Sequence, residues 1–128
     1  MSIASNSTVI ILGSTGSIGT QGLDVISRHP ERFTVTGLAA GGAHIELAQQ
    51  AAQFHVSEAA VFDETKVPAL QAALAQAGAQ GVRVTGGPDS VIAMAGSGAN
   101  VVLNGITGSI GLEPSIPALK AGSPLALA

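Results

Sequence analysis

The feature that most restricts the fold of this chain is a glycine-rich segment directly after an apolar run. The run is Val9–Leu12, the glycines are Gly13, Gly16 and Gly19, and a helix is predicted to open near Ser17. The first glycine permits a tight turn, the second lets an anion approach the backbone, and the third lets the helix pack closely on the sheet. First-turn N–H groups and the helix dipole then attract the anion. The segment predicts a strand–turn–helix unit that binds a dinucleotide's diphosphate, with a turn that binds nothing as the alternative.

Hydroxyl groups flank these glycines and extend the predicted site. Ser14, Thr15 and Ser17 are expected to donate to phosphate oxygens. The Gly-x-x-Gly-x-x-Gly spacing is weak evidence by itself. It gains weight because it lies between the first predicted strand and the first predicted helix.

Six short aliphatic runs recur along the 128 residues, with helical spacing between most of them. Several runs are apolar throughout, which is typical of strands covered on both faces. The predicted strands are 9–12, 34–38, 59–62, 82–84, 101–103 and 125–127. Alternating strands and helices predict one α/β domain, a doubly wound, mainly parallel sheet with helices on both faces and right-handed crossovers.

Composition excludes several classes of protein. The net charge of −3, five scattered basic residues and only three aromatic side chains argue against a nucleic-acid partner. The absence of cysteine excludes disulfides and thiolate zinc sites. No apolar run approaches the ~20 residues of a membrane-spanning helix. We therefore expect a cytoplasmic protein with no membrane partner.

The segment after the second predicted strand indicates which dinucleotide is bound. A carboxylate there would hold the ribose 2′-hydroxyl of NAD, and its absence leaves room for the 2′-phosphate of NADP. Gly41, Gly42 and Ala43 follow the strand, and the first acidic residue is Glu46. This neutral loop predicts NADP held by backbone N–H groups. The His44 side chain is a further candidate donor, although an ordinary surface or buried role is equally open.

The end of the fifth predicted strand is a second candidate edge of the cleft. Asn104 to Thr107 would line it, with an ordinary loop as the alternative. Residues 15–19 recur as 107–111, which suits a sheet of two similar halves or is a coincidence. No paired carboxylates, Ser-His-Asp set or metal-ligand spacing is evident. The sequence predicts a cofactor site with neither catalytic residues nor metal ligands.

Several stretches together resemble the 1-deoxy-D-xylulose 5-phosphate reductoisomerase family. They are residues 11–20, 23–26, 29–33, 37–42, 108–114, 118–122 and 125–128. The resemblance implies a Rossmann-type, NADPH-dependent oxidoreductase of non-mevalonate isoprenoid biosynthesis. Such an enzyme isomerises 1-deoxy-D-xylulose 5-phosphate and reduces the intermediate to 2-C-methyl-D-erythritol 4-phosphate. A divalent cation, Mg or Mn, and a homodimer are also implied.

The resemblance carries two sets of cofactor contacts over to this chain. Those to the dinucleotide phosphates are Thr15, Gly16, Ser17 and Ile18. Those to the adenosine phosphate are Gly41, Gly42 and Ala43. Many relatives have Gly-Lys-Asn at the second set, so the charge of that lysine is missing here.

The resemblance also implies that an Asn-Lys-Glu segment, a metal-binding domain and a C-terminal domain follow this chain. Residues 1–128 are then expected to be the NADPH-binding domain of a longer protein, which binds NADPH without turnover. One alternative is another NADP-dependent reductase or epimerase of the same fold, although the Tyr-x-x-x-Lys that it would need is absent because the chain has no tyrosine. The other is a non-enzymatic nucleotide-sensing domain.

Overall fold

The computed structural model describes residues 6–105 and the backbone of residues 125–126. The strands are β1 (Ser7–Leu12), β2 (Phe33–Ala40), β3 (Glu58–Val61), β4 (Arg83–Gly86), β5 (Val101–Asn104) and β6 (Leu125–Ala126). The helices are α1 (Ser17–Ser27), α2 (His44–Phe54), α3 (Val67–Gln76) and α4 (Pro88–Ala95), with a 3-10 turn at Glu64–Lys66. The predicted strands and the helix near Ser17 are confirmed. The spacing of Ile116 and Leu119 also predicts a helix, but that segment and the repeat at 107–111 lie outside the described residues.

The strands form one parallel sheet in the order β4-β3-β2-β1-β5-β6. The first three crossovers each step one strand outward from β1, and the chain then returns to place β5 on the other side of β1. Reversing direction sends the next helix to the opposite face, because crossovers are right-handed. The predicted doubly wound α/β fold is confirmed, and its switch point lies between β1 and β5.

The two faces of the sheet carry separate cores. One face packs against α1, α2 and α3 through side chains that include Leu23, Leu47 and Leu70. The other face packs against α4 through Val91 and Met94. The central strands are buried on both faces, which explains why their sequences are apolar throughout. No helix of the described residues is long and apolar enough to cross a bilayer.

Strand β2 contains one irregularity that sets its alignment with β1. Val9 pairs with Val35, but Ile10 pairs with Gly37, so Thr36 is an extra residue on β2. Such a bulge places two residues opposite one. As a result Val35 and Leu38, three positions apart, lie in the same core with α1 and α2.

Candidate functional site

The candidate site lies at the switch point, where the carboxyl ends of β1 and β5 meet. Leu12 pairs with Asn104, and the Gly105 N–H donates to the Leu12 carbonyl oxygen at 2.7 Å. Ligands of open parallel sheets bind outside the carboxyl ends of the strands at such a point. Asn104 therefore occupies the edge of the cleft that the sequence predicts, but its contact with a cofactor stays a prediction.

The turn out of β1 depends on Gly13 for its backbone conformation. Gly13 has a φ of 78°, a left-handed value that favours glycine. The N–H groups of Gly13 and Ser14 both donate to the Ala39 carbonyl oxygen, at 2.7 and 2.9 Å. The predicted tight turn is confirmed, and these bonds attach it to β2.

Gly19 is where α1 comes closest to this turn. A Cβ atom there would lie 2.6 Å from the Ser14 Cα and closer still to the Gly13 carbonyl oxygen. A Cβ at Gly105 would lie 3.3 Å from the Gly19 nitrogen. The predicted close packing at Gly19 is confirmed. The sequence predicts that Gly105, within the segment Asn104 to Thr107, lines the cleft, but it does not predict this close approach to α1, for which a glycine directly after a buried strand was the available signal.

Gly16 differs from its neighbours because the protein's own packing does not demand a glycine there. It precedes the first residue of α1 with φ −79° and ψ 175°, ordinary extended backbone. A Cβ would approach only the Gly13 carbonyl oxygen, at 3.5 Å, which is ordinary contact. The missing side chain therefore leaves open space in front of the N-terminus of α1.

The backbone around Gly16 has unused hydrogen-bond donors. Within residues 6–105, the N–H groups of Thr15, Ser17 and Ile18 donate to no acceptor. The Gly16 N–H donates to the Gly13 carbonyl oxygen at 3.1 Å. No side chain caps α1, and its first turn has no acidic residue. Three donors and an uncompensated positive dipole end thus surround the exposed Gly16.

Ser14 does not occupy the position that the sequence predicts. Its side chain is fully buried, and its Oγ has no hydrogen-bond partner in the part of the chain that the structure describes. The expectation that this hydroxyl donates to a phosphate is wrong, because the turn directs it into the protein. The Ser14 carbonyl oxygen accepts a 2.9 Å bond from Nε2 of Gln50 on α2, a residue that sequence reasoning missed. Thr15 and Ser17 remain partly or fully exposed.

The loop between β2 and α2 forms the second part of the candidate site. Added Cβ atoms at Gly41 and Gly42 would meet nothing within 4 Å. The N–H groups of Gly41, Gly42 and Ala43 donate to no acceptor within the described residues. His44 donates its N–H to the Gly42 carbonyl oxygen at 2.9 Å, and its Nδ1 lies 3.5 Å from that oxygen. The loop is open and presents backbone donors.

The segment after β3 brings a carboxylate to this loop. The Asp63 N–H donates to the Gly41 carbonyl oxygen at 2.9 Å. The Thr65 hydroxyl and N–H donate to the Asp63 carboxylate and hold its pKa below the ordinary value, with a smaller contribution from the charge of Lys66. The sequence predicts that Asp63 and Glu64 begin a helix, and Asp63 does cap the 3-10 turn at Glu64–Lys66, but the sequence does not predict the contact of Asp63 with Gly41. Among the described residues, no three His, Asp or Glu side chains cluster as metal ligands.

The doubly wound sheet, the glycine turn at its switch point and the bare N-terminus of α1 define a Rossmann-type α/β domain. A family model described as 1-deoxy-D-xylulose 5-phosphate reductoisomerase matches residues 9–128. The chain belongs to that family, as its sequence motifs imply.

Individual relatives agree with this assignment. A 1-deoxy-D-xylulose 5-phosphate reductoisomerase of Bifidobacterium longum strain DJO10A is 98% identical over all of this chain and 33% of its own length. The corresponding protein of Beutenbergia cavernae is 50% identical over 94% of this chain and 31% of its own. The chain thus spans about a third of the length of these relatives.

Solved structures show the same fold. A 1-deoxy-D-xylulose 5-phosphate reductoisomerase from Zymomonas mobilis in complex with NADPH superposes with a TM-score of 0.90 at 33% identity, over 96% of this chain and 32% of that one. A reductoisomerase structure in complex with magnesium also gives a TM-score of 0.90, at 27% identity, over 97% of this chain and 31% of the other.

Proposed function

We propose that residues 1–128 form the NADPH-binding domain of a 1-deoxy-D-xylulose 5-phosphate reductoisomerase. The observation that carries the proposal is the set of Thr15, Ser17 and Ile18 N–H groups around Gly16, which have no acceptor within residues 6–105. The relative from Zymomonas mobilis was solved with NADPH, which supports a dinucleotide as the ligand.

The cofactor's diphosphate fits the glycine turn on chemical grounds. A diphosphate needs several donors and a positive potential, and the N-terminus of α1 supplies both with no side chain at position 16 in the way. Thr15, Gly16, Ser17 and Ile18 would contact the phosphates. Gly13 would contribute through the shape of the turn, and the Thr15 and Ser17 hydroxyls are exposed enough to add bonds.

The adenosine end of the cofactor fits the β2–α2 loop. Gly41, Gly42 and Ala43 would present their N–H groups to the 2′-phosphate, since the loop has no carboxylate of its own to repel it. Asn104, across the switch point at the end of β5, would line the same cleft. NADPH supplies a hydride when bound, and these residues hold and orient it.

The activity of the whole protein follows from the family. We propose that it isomerises and reduces 1-deoxy-D-xylulose 5-phosphate to 2-C-methyl-D-erythritol 4-phosphate in isoprenoid biosynthesis. The divalent cation and the phosphosugar would be bound by residues beyond this chain, so this chain alone would bind NADPH without turnover. A cytoplasmic homodimer is the proposed form of the complete protein.

Replacing Gly16 with Val tests the proposed site. The side chain fills the space in front of three N–H donors, so NADPH affinity should fall about 100-fold or more, while the fold survives. Fluorescence titration of NADPH measures the affinity, and circular dichroism reports the fold.

Gly81→Val is the matched control, because a Cβ at Gly81 would meet nothing within 4 Å and Gly81, like Gly16, has no left-handed φ, but it lies just before β4. It should leave affinity unchanged. Unaltered NADPH binding in Gly16→Val would contradict the proposed diphosphate site.

A further inference from the structure

The side chain of Gln50 connects helix α2 to the glycine turn by a hydrogen bond. Its Nε2 donates to the Ser14 carbonyl oxygen at 2.9 Å, across 36 residues of sequence. Only the amide nitrogen can face a carbonyl oxygen, because the amide oxygen has no proton to donate. This bond therefore fixes which way both the Gln50 amide and the Ser14 carbonyl point.

Fixing the Ser14 carbonyl also fixes the next N–H group. The peptide bond is planar and trans, so the Thr15 N–H points opposite to the Ser14 carbonyl. The Ser14 side chain is fully buried, whereas Thr15 is partly exposed. With its carbonyl directed to Gln50, the peptide directs the Thr15 N–H away from Gln50. That N–H is one of the three unpaired donors of the proposed diphosphate site.

Burial makes this arrangement costly in the absence of a ligand. The Oε1 of Gln50 and the Oγ of Ser14 are both buried, and neither has a hydrogen-bond partner among the described residues. Unpaired buried polar atoms reduce stability, and an apolar side chain at position 50 would leave no unpaired amide oxygen. It would, however, also remove the donor to the Ser14 carbonyl oxygen, so this one bond is what the glutamine contributes at this position.

We propose that Gln50 is a positioning residue for the cofactor's diphosphate, acting through the orientation of the Ser14–Thr15 peptide. This role rests on the proposed NADPH site and adds a residue of α2 to it. Gln50 does not touch the cofactor. It holds the Thr15 N–H in the direction in which a phosphate oxygen accepts it.

The test compares Gln50→Glu and Gln50→Leu with Gln49→Glu and Gln49→Leu in the complete protein. Glu and Leu are near in size to Gln, but neither donates to the Ser14 carbonyl oxygen at neutral pH. Gln49 is the matched control, since it is exposed and lies next to Gln50 on α2. Each variant is titrated with NADPH and with adenosine 2′-monophosphate, which lacks the bridging diphosphate.

The expected result is a selective loss. Both Gln50 variants should bind NADPH about tenfold more weakly, the effect of one lost or misdirected hydrogen bond. Their affinity for adenosine 2′-monophosphate should stay within about twofold of wild type, as should both affinities of the Gln49 variants.

Three other outcomes would contradict either the positioning role of Gln50 or the proposed function, and the titrations distinguish the two cases. Loss of both affinities in the Gln50 variants would show that Gln50 merely supports α2, and unchanged NADPH affinity would show that it has no role. Either result refutes the positioning role and leaves the proposed function intact. Failure of the wild-type protein to bind NADPH would instead refute the proposed function.

Discussion

The two glycine-containing loops of this domain have different reasons for their glycines. In the turn after β1, the backbone requires Gly13 because its φ is 78°, and the packing of α1 requires Gly19 because a Cβ would enter the Ser14 backbone. In the loop after β2, Gly41 and Gly42 face open space with no left-handed φ. The fold therefore requires the glycines of the first region, whereas neither backbone conformation nor packing requires those of the second.

This contrast explains which part of the site tolerates variation. A change at Gly13 or Gly19 would alter the fold before it altered binding. A side chain at Gly42 would meet nothing within 4 Å of its Cβ, so a change there would leave the fold unaltered. The lysine that the family resemblance implies at position 42 would therefore stand where the fold accepts either residue.

The largest expected difference between the two regions comes from adding one methyl group to each, at Gly19 in the first turn of α1 and at Gly41 in the loop after β2. Gly19→Ala should destabilise the protein by about 3 kcal/mol or more, because the new atom meets backbone that cannot rotate away. Gly41→Ala should change stability by less than about 0.5 kcal/mol. Urea unfolding followed by circular dichroism measures both. Equal free energies of unfolding for the two variants would contradict the close approach of α1 to the turn at Gly19.

The role proposed for the loop after β2 is tested by placing a positive charge at position 42. Gly42→Lys should tighten NADPH binding about fivefold at low ionic strength, by adding an ion pair to the 2′-phosphate. Affinity for NADH, which lacks that phosphate, should not change, and Gly42→Gln controls for size. The gain should shrink in high salt because screening weakens an exposed pair. An equal gain in affinity for NADH would contradict the proposed contact between this loop and the 2′-phosphate of NADPH.

The smallest expected effect concerns the carboxylate that β3 brings to Gly41. Asp63→Asn should tighten NADPH binding about twofold at low salt, because a like charge near the 2′-phosphate is removed. The bonds from Thr65 keep the Asp63 pKa low, so the gain should be the same from about pH 5.5 to pH 8. Glu31→Gln makes the same change of charge before β2, at the amino edge of the sheet. A gain that vanished toward pH 5.5 would mean that the carboxylate is protonated there.

The sequence predicted those features that depend on neighbouring residues. The strands are legible because buried parallel strands are apolar throughout, and the turn at Gly13 and the packing at Gly19 follow from the order strand, glycine, helix. The inward direction of Ser14 was not predictable in this way. The bond from Gln50 to the Ser14 carbonyl oxygen was not predictable either, because Gln50 is distant in sequence and lies on α2, on the same face of the sheet as α1.

The place of Asp63 illustrates the same limit. Along the chain it lies 22 residues from Gly41, yet the pairing of β2 with β3 places the two backbones in hydrogen-bond contact. Local patterns predict that both strands exist. Which loop each strand end faces depends on the order of strands in the sheet, which a single sequence does not state.

Because Thr36 is an extra residue of β2, its loss would restore the regular alternation of side chains between the two faces of the sheet. Among the described strand pairs, only that of β1 with β2 has such an irregularity. Without Thr36, Val35 and Leu38 would be separated by Gly37 alone and would still face the same core. Removing a residue from β1 or β3 would instead invert every later side chain of that strand. Related genes should therefore tolerate a single-codon deletion at this position far better than in the adjacent strands, with the Ala39 acceptor for the glycine turn left in place.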